Sequence, residues 1–379
     1  MAKLVKRAYK YRFYPTPEQA QELARTFGTV RYVYNRTLAE RTRAYSQETR
    51  RVNYAESARW LAQWRADPET AWLAESASVP QQQAVRQLQT AFNNFFAKRA
   101  KYPRFKRKGR SRDSATYTTF GFSYRNGQVR LAKMRGPLDI RWSRALPAGD
   151  PSKATITRDA AGRYFISLLM EETVSAPAPT REALGLDAGL NHLLTDSEGR
   201  RYTNPKHEQR ERKRLAKAQR ALAHKKKGSK NREKARLKVA RIHARIADRR
   251  RDHLHKITTN LIRENQAVMI EDLAVRNMVR NHSLARAISD ASWAQLRSML
   301  EYKAEWYDRE VVAIDRFYPS SKTCSSCGHL LDTLPLDIRQ WDCPECGVTH
   351  DRDTNAARNI LAVGLTVSAC GDGVRLLSA

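Results

Sequence analysis

Alternation opens the chain: Tyr9, Tyr11 and Phe13 fall on one face and Lys10 and Arg12 on the other, which predicts a strand halted by Pro15. Thr16-Pro17-Glu18-Gln19 then supplies an N-cap, a proline at N1 and a glutamine at N3, a strong helix start. Helical periodicity continues to about residue 100, with breaks expected near Asn53 and Pro80, and sets Val85, Leu88, Ala91 and Phe95 on one stripe. Residues 100–111 form a basic connector holding Tyr102 and Phe105 but no apolar period. From about Ser114 to Met170 the pattern becomes short strands, among them Ala154–Arg158 and Tyr164–Met170 on either side of Ala160-Ala161-Gly162. Strand patterns at both ends of the helical block predict helices inserted into one small β domain. Ser175–Thr180, with two prolines, is expected to be a linker and a domain boundary.

Past the linker, Leu184-Gly185-Leu186-Asp187 has the look of a buried strand ending on a carboxylate, followed by a second strand at Leu193–Asp196. Residues 206–264 predict two helices divided at Gly228-Ser229. The second carries Val239, Ile242, Ile246, Leu254, Ile257 and Leu261 on one stripe, with Arg and Lys elsewhere. Val268-Met269-Ile270-Glu271 is another short buried strand ending on a carboxylate. A helix over Trp293–Arg309, a strand over Val311–Asp315, a cysteine block, a last helix over Asn355–Gly364 and a loosely organised tail complete the pattern.

Composition narrows what such a chain does. Its 379 residues allow two or three domains, and 41% hydrophobic content supports real cores, which excludes a disordered polycation. Lys and Arg total 70 against 39 acidic residues, a formal charge of +31. That excess points to a polyanion partner, with salt-sensitive phosphate contacts dominating affinity. Absence of an apolar run near 18 residues argues against a membrane partner. The opening Met1–Arg7 lacks the apolar core of an export signal. Four of five cysteines fall in two Cys-x-x-Cys pairs, which fits a reduced cytosol better than a disulfide framework. The expectation is a cytoplasmic, nucleoid-associated nucleic-acid binder.

Two sets of residues carry chemistry. Cys324, Cys327, Cys343 and Cys346, paired with a fifteen-residue interval, have zinc spacing, and two such turns close a tetrahedron with no open position. That makes the zinc structural. Chance spacing or a redox pair is the bland alternative, and Cys370 stands alone as incidental. Asp187 and Glu271 end strands, whereas Asp353 precedes a helix, where an aspartate also serves as an N-cap. Any one of them could be a solvated strand end or cap. Together, three converging carboxylates would repel one another unless divalent cations neutralise them. Two such ions roughly 3.5–4 Å apart would activate water and stabilise the leaving oxygen in phosphodiester cleavage.

Leu184-Gly185-Leu186-Asp187, Ile270-Glu271-Asp272-Leu273 and Asp351-Arg352-Asp353-Thr354-Asn355-Ala356-Ala357 resemble the three RuvC motifs of the TnpB (OrfB) proteins of insertion sequences, relatives of the type V CRISPR effectors. Tyr318-Pro319-Ser320-Ser321-Lys322-Thr323-Cys324 resembles that family's approach to its zinc ribbon. Ala91–Phe96 and Tyr102–Lys106 resemble its N-terminal half, so the likeness covers nearly the whole chain. It implies an α/β nuclease domain of RNase H-like (RuvC) fold over 181–318 and 350–364 with a nested zinc ribbon over 319–349. Ahead of it would lie a β-barrel, wedge-like domain over 1–15 and 114–174, interrupted by a helical recognition domain over 16–113. Residues 365–379 would be a loosely ordered tail.

In activity, the resemblance implies an RNA-guided DNA endonuclease of a transposable element. It would take a guide RNA from the transposon locus and double-stranded target DNA beside a short flanking motif, and act as a monomer in the ribonucleoprotein. Magnesium, with manganese as substitute, would sit on Asp187, Glu271 and Asp353. The family motif selects Asp353 over Asp351, and makes Asp351 and Asp272 supporting or solvated carboxylates. The rivals are a catalytically silent RNA-guided DNA-binding regulator, against which the intact carboxylates argue, and a transposase acting without RNA. The lysines and arginines of 206–256 suit a nucleic-acid backbone, though a solvated helix face is equally expected of them. Tyr9, Tyr11, Phe13 and Tyr102 could stack on bases, with core packing the commoner role. Gln81, Gln82 and Gln83 could read the short DNA element at adenine edges.

Overall fold

Thr16 caps the first helix as its sequence requires. Its hydroxyl accepts from the Gln19 N–H, and the Gln19 side chain accepts from the Thr16 N–H, both at 3.2 Å. A computed structural model describes residues 3–175 and 177–369, in two units over Leu4–Glu172 and from Thr173 onward.

In the first unit, β1 (Lys3–Phe13) leads into α1 (Pro17–Glu48), α2 (Tyr54–Ala66), a 3-10 segment (Pro68–Glu75) and α3 (Ser78–Phe96). There follow β2 (Asp113–Thr118), β3 (Phe122–Arg125), β4 (Gln128–Leu131), β5 (Ile140–Arg141), β6 (Lys153–Arg158) and β7 (Tyr164–Val174). The main sheet runs β2-β6-β7-β1-β5, and β3-β4 is a separate ribbon. Thus β1, which precedes the helices, lies between strands that follow them.

Asn53 breaks the helical run as expected, accepting from the Glu56 N–H at the start of α2. The second break differs. Pro80 falls inside the first turn of α3, where a missing N–H costs nothing, and the interruption is the 3-10 segment before it. The buried stripe of α3 is Ala84, Val85, Leu88 and Phe92, so Ala91 and Phe95 lie at its margin. Tyr9, Tyr11 and Phe13 pack into the core, whereas Tyr102 is 43% exposed. Gln81 is fully buried: its amide donates to Leu73 O and Ser76 Oγ and accepts from Arg65. It cannot meet a base, which leaves exposed Gln82 and partly buried Gln83 on that helix.

The second unit contains β8 (Arg181–Asp187), β9 (His192–Asp196), β10 (Arg201–Thr203), α4 (His207–Ala223), α5 (Lys230–Glu264) and β11 (Asn265–Glu271). It continues with α6 (Val275–Met278), α7 (Ala285–Ala291), α8 (Trp293–Tyr307), β12 (Glu310–Ile314), β13 (Gln340–Asp342), β14 (Thr349–Asp351) and α9 (Arg352–Ala369). Its sheet runs β10-β9-β8-β11-β12, with β8, β11 and β12 parallel. The α4–α5 division sits where expected, and Ser229 caps α5 by accepting from the Arg232 N–H. The last helix is longer than the pattern predicted, beginning three residues earlier and reaching Ala369. Cys370 and the rest of the expected tail lie outside the described residues.

Strand alternation divides this sheet between two helical layers. Leu184, Leu186, Val268 and Ile270 pack on the α5 and α8 side with Leu254, Leu261, Leu296 and Leu300. Residues of opposite parity, Ala183, Ala267 and Met269, pack with Ile360 and Leu361 of α9. The helix lies tight on the sheet because glycines meet it. A Cβ on Gly185 would stand 2.1 Å from the Ala357 carbonyl oxygen, and one on Gly364 2.6 Å from Met269 Cγ. Backbone cannot yield at the first contact as a methionine side chain can at the second. Gly185→Ala is therefore expected to destabilise this unit by about 3 kcal/mol or more, and Gly364→Ala by less, read from urea unfolding midpoints.

Candidate active site

The parity that seats Gly185 against α9 also fixes the carboxylates. Asp187 lies two residues beyond Gly185 on the same face of β8, and Glu271 two residues beyond Met269 on β11. The parallel register pairs Gly185 with Met269 and Leu186 with Ile270, so Asp187 and Glu271 stand side by side at the C-terminal ends of adjacent strands. Going toward the strand ends from Gly185 corresponds to going back along α9 from Ala357, one helical turn to Asp353 in its first turn. The partly positive start of α9 thus meets the acidic ends of β8 and β11.

Electrostatics bring the three residues together. Burial first, then the nearby charges of Glu271 and Asp353, push the Asp187 carboxyl well above its ordinary value, against opposing pulls from Arg352 and Arg339. Burial also raises Glu271, partly offset by the Ser320 hydroxyl, which donates to its Oε1 at 2.8 Å. Arg339 stands 3.4 Å from Asp353 Oδ1. The carboxylates are close enough that Asp187 feels both of the others. Hard oxygen donors so arranged could hold divalent cations.

Raised carboxyls have a pH consequence. Each is stabilising while protonated, below its unfolded value near 4, and that contribution is lost as pH rises through the folded value. In magnesium-free buffer with zinc retained, Asp187→Asn is expected to melt a few degrees above wild type at pH 8, with the gap closing toward pH 4. A gap independent of pH in thermal melts would mean that charge is not its cause.

Neighbouring acids have other work. Asp351 Oδ1 accepts from the N–H and hydroxyl of Thr354 at 3.0 and 2.8 Å, which caps α9, and its Oδ2 pairs with Arg201 at 2.8 Å. Burial works against it, but these donors hold its carboxyl below the ordinary range. Asp272 is held low likewise, burial being outweighed by Arg297 and Arg316. The capping role considered for Asp353 thus belongs to Asp351, which leaves Asp353 to face Asp187.

The cysteines form two matching knuckles. Cys324 N–H donates to His329 O and Cys343 N–H to Val348 O, and Gly328 and Gly347 follow each pair at φ of +81° and +69°, where glycine is favoured. The ligand atoms of Cys324, Cys327, Cys343 and Cys346 all lie within 4.8 Å of one another. Cys324 and Cys346 sulfurs lie 3.7 Å apart, and Cys327 and Cys343 sulfurs 3.6 Å. Zinc–sulfur bonds of ~2.3 Å require tetrahedral edges of about 3.8 Å, so the four fit zinc. Buried His350 sets Nε2 3.0 Å from Cys324 Sγ and packs its ring on Trp341.

Two asparagines join this clip to the carboxylates. Asn355 donates to Thr323 O at 2.8 Å and accepts from the Ser325 N–H, inside the first knuckle. Asn359, one turn on, donates to Ser320 O and Thr323 O at 2.8 and 2.6 Å. The segment they hold includes Ser320, which touches Glu271. Asn355 and Ser320 stood in recognised motifs without a role, and no pattern marked Asn359.

Three family models match the chain: "Probable transposase" over residues 166–282, "Cas12f1-like, TNB domain" over 293–360, and "Helix-turn-helix domain" over 1–50. The last range is one strand and one helix here. A Streptomyces pristinaespiralis protein described as "Putative RNA-guided DNA endonuclease" is 61% identical, covering 99% of this chain and 93% of its own. Escherichia coli (strain K12) has a relative of the same description, InsQ, 36% identical over 97% of this chain and 94% of its own. In a solved Cas12f1-sgRNA-target DNA complex, the matched chain is similar in fold with TM-score 0.57 at 14% identity, covering 94% of this chain and 98% of that one.

Proposed function

Because the chain belongs to the TnpB (OrfB) family of insertion-sequence nucleases, we propose that it is an RNA-guided DNA endonuclease of a transposable element, cutting target DNA at one RuvC-like site. The observation that carries this beyond kinship is the meeting of Asp187, Glu271 and Asp353 at the ends of two parallel strands beneath one helix start. Asp187, Glu271 and Asp353 would hold magnesium. Bound there, divalent ions supply an activated water and a charge sink for the leaving oxygen.

The chain's own groups set the conditions. Asp187 is poised by burial to favour a neutralised state, so a bound cation relieves a cost already present in the fold. Ser320 orients Glu271 through its hydrogen bond, and Arg339 steadies Asp353. The zinc clip holds the start of α9 over its first two turns through Asn355 and Asn359, so its part is positional.

A net charge of +31 supports binding to both a guide RNA and a double-stranded target, with pairing reading the sequence. On α5, Arg245 and Arg249 are partly spent on Glu211, at 3.8 and 3.2 Å, which marks them as internal ties. We assign residues 16–113 to recognition, 1–15 and 114–174 to the wedge-like domain, and monomeric action to the ribonucleoprotein.

The test is to purify the protein from cells carrying its native locus, sequence the bound RNA and assay cleavage of a matched plasmid. One discrete locus-derived RNA should copurify, and RNase treatment should remove cutting until that RNA is restored. Full cutting by RNase-treated protein would overturn the proposal.

A further inference from the structure

Between α1, the 3-10 segment and the basic connector, the first unit holds a cleft of about 810 Å³ for which the cutting chemistry has no use. Four cations line it: Arg25, Arg31, Arg36 and Lys133. Three rings, those of Tyr32, Trp72 and Phe105, are set among them. Trp72 is 40% exposed and Phe105 55%, so both leave apolar ring surface in water. A ring so placed gains nothing from burial until something covers it.

These rings are held in place. The Asn35 side chain, on α1, donates to Lys106 O at 2.9 Å and accepts from the Lys106 N–H at 2.8 Å. That pair of bonds clamps the connector backbone to α1 beside Phe105. Tyr32 and Trp72 brace each other edge to face, with ring centroids 4.9 Å apart. A partner that stacks here meets surfaces already ordered, which lowers the entropic cost of binding.

Charge changes sign along the cleft. Glu22 lines it at one end of α1 and Arg36 about four turns on, with Arg25 and Arg31 between. Arg31 leans toward Asp113 at 3.6 Å, and Arg36 lies over the Trp64 ring at 4.5 Å, whereas Arg25 is exposed at the rim. Exposed Lys101, Arg104, Arg107, Lys108 and Arg110 carry the positive charge onward along the connector. Aromatic faces interleaved with cations suit bases stacked beside their own phosphates. A simple anion has no flat face to cover the rings, and a paired duplex keeps its bases stacked inside. An unpaired nucleic-acid segment meets both demands. RNA presents such segments as its ordinary recognition elements, and its 2′-hydroxyls are donors that Glu22 and Glu75 in the lining can accept.

We propose that this cleft holds an unpaired segment of the guide RNA, its bases on Phe105 and Trp72 and its phosphates on Arg25, Arg31 and the connector. The inference rests on the RNA-guided function proposed above. Because every base has a face to stack, the cleft anchors the RNA with little demand on its sequence.

The test uses the full-length protein with the RNA of its native locus. Nucleotide-resolution chemical probing should show one short unpaired run protected by wild type and released by Phe105→Ala. The RNA dissociation constant should rise roughly five- to a hundredfold, and Phe105→Trp should restore both protection and affinity. Arg25→Glu should flatten the salt dependence of RNA binding by about one phosphate contact. Unchanged protection and affinity in Phe105→Ala and Arg25→Glu, beside RNA-dependent cutting by wild type, overturn the cleft assignment and leave the function standing. Changes confined to the opened target DNA, with the RNA unaffected, give the cleft to DNA and overturn it as well. Absence of any discrete bound RNA overturns the guided function itself. Should Phe105→Ala misfold, Arg25→Glu, at an exposed helix position, decides through the salt slope.

Discussion

Asp187→Ala is expected to lower target cleavage at least about a thousandfold while guide-RNA and target binding persist. Asp187 is the member of the set that feels both other carboxylates, and its neighbours Gly185 and Leu186 are locked by α9 and the core. The substitution removes charge and ligand oxygens from the middle of the site without altering the strand beneath. Binding should survive because the basic surface is untouched. Asp353→Ala should match the loss. Asp351→Ala should instead cost about 1 kcal/mol of helix capping and leave most cutting intact. Plasmid cleavage and gel-shift assays on the three variants decide the matter. Cleavage by Asp187→Ala within tenfold of wild type, or equal losses at Asp351 and Asp353, would sink the assignment.

Cys343→Ser is expected to remove cleavage as thoroughly, though Cys343 touches no carboxylate. Structural zinc commonly contributes on the order of 10–16 kcal/mol of folding free energy to a small module, more than the ribbon's short β13–β14 hairpin and few buried side chains can replace. With the knuckles unfolded, Asn355 and Asn359 lose the carbonyls of Ser320 and Thr323, and Glu271 loses the Ser320 hydroxyl. The sheet and its α5 and α8 core do not depend on those bonds. Bound zinc measured by mass spectrometry should therefore fall with activity, while far-ultraviolet circular dichroism keeps most of its helical signal. Full cutting by zinc-free protein would show the clip to be dispensable.

What the chain made legible follows from local physics. Apolar runs closed by a carboxylate exposed β8 and β11, and a capping box exposed the start of α1. Spacing alone exposed the knuckles. What stayed hidden depends on partners distant in sequence. Gln81 looks like a surface residue on a helix until Arg65, Leu73 and Ser76 are folded around it. Asp351 and Asp353 both suit a cap by type, and the bond to Thr354 shows which of them caps. Asn359 shows no signal because its bonds go to backbone carbonyls, which carry no residue identity.

The tight seat of α9 has a consequence for synthesis on the ribosome. Asp187 and Glu271 are made long before Asp353, and the strand face that α9 covers, with Ala183, Ala267, Met269 and Val312, stays bare until that helix emerges. The nascent chain is thus a two-carboxylate species with an apolar groove on that strand face, prone to sticking until its cover arrives and, on the proposed site, not yet able to cut. On the proposed site, a message cut short between the codons for Glu271 and Asp353 would yield a product lacking one of the three carboxylates and so unable to cut.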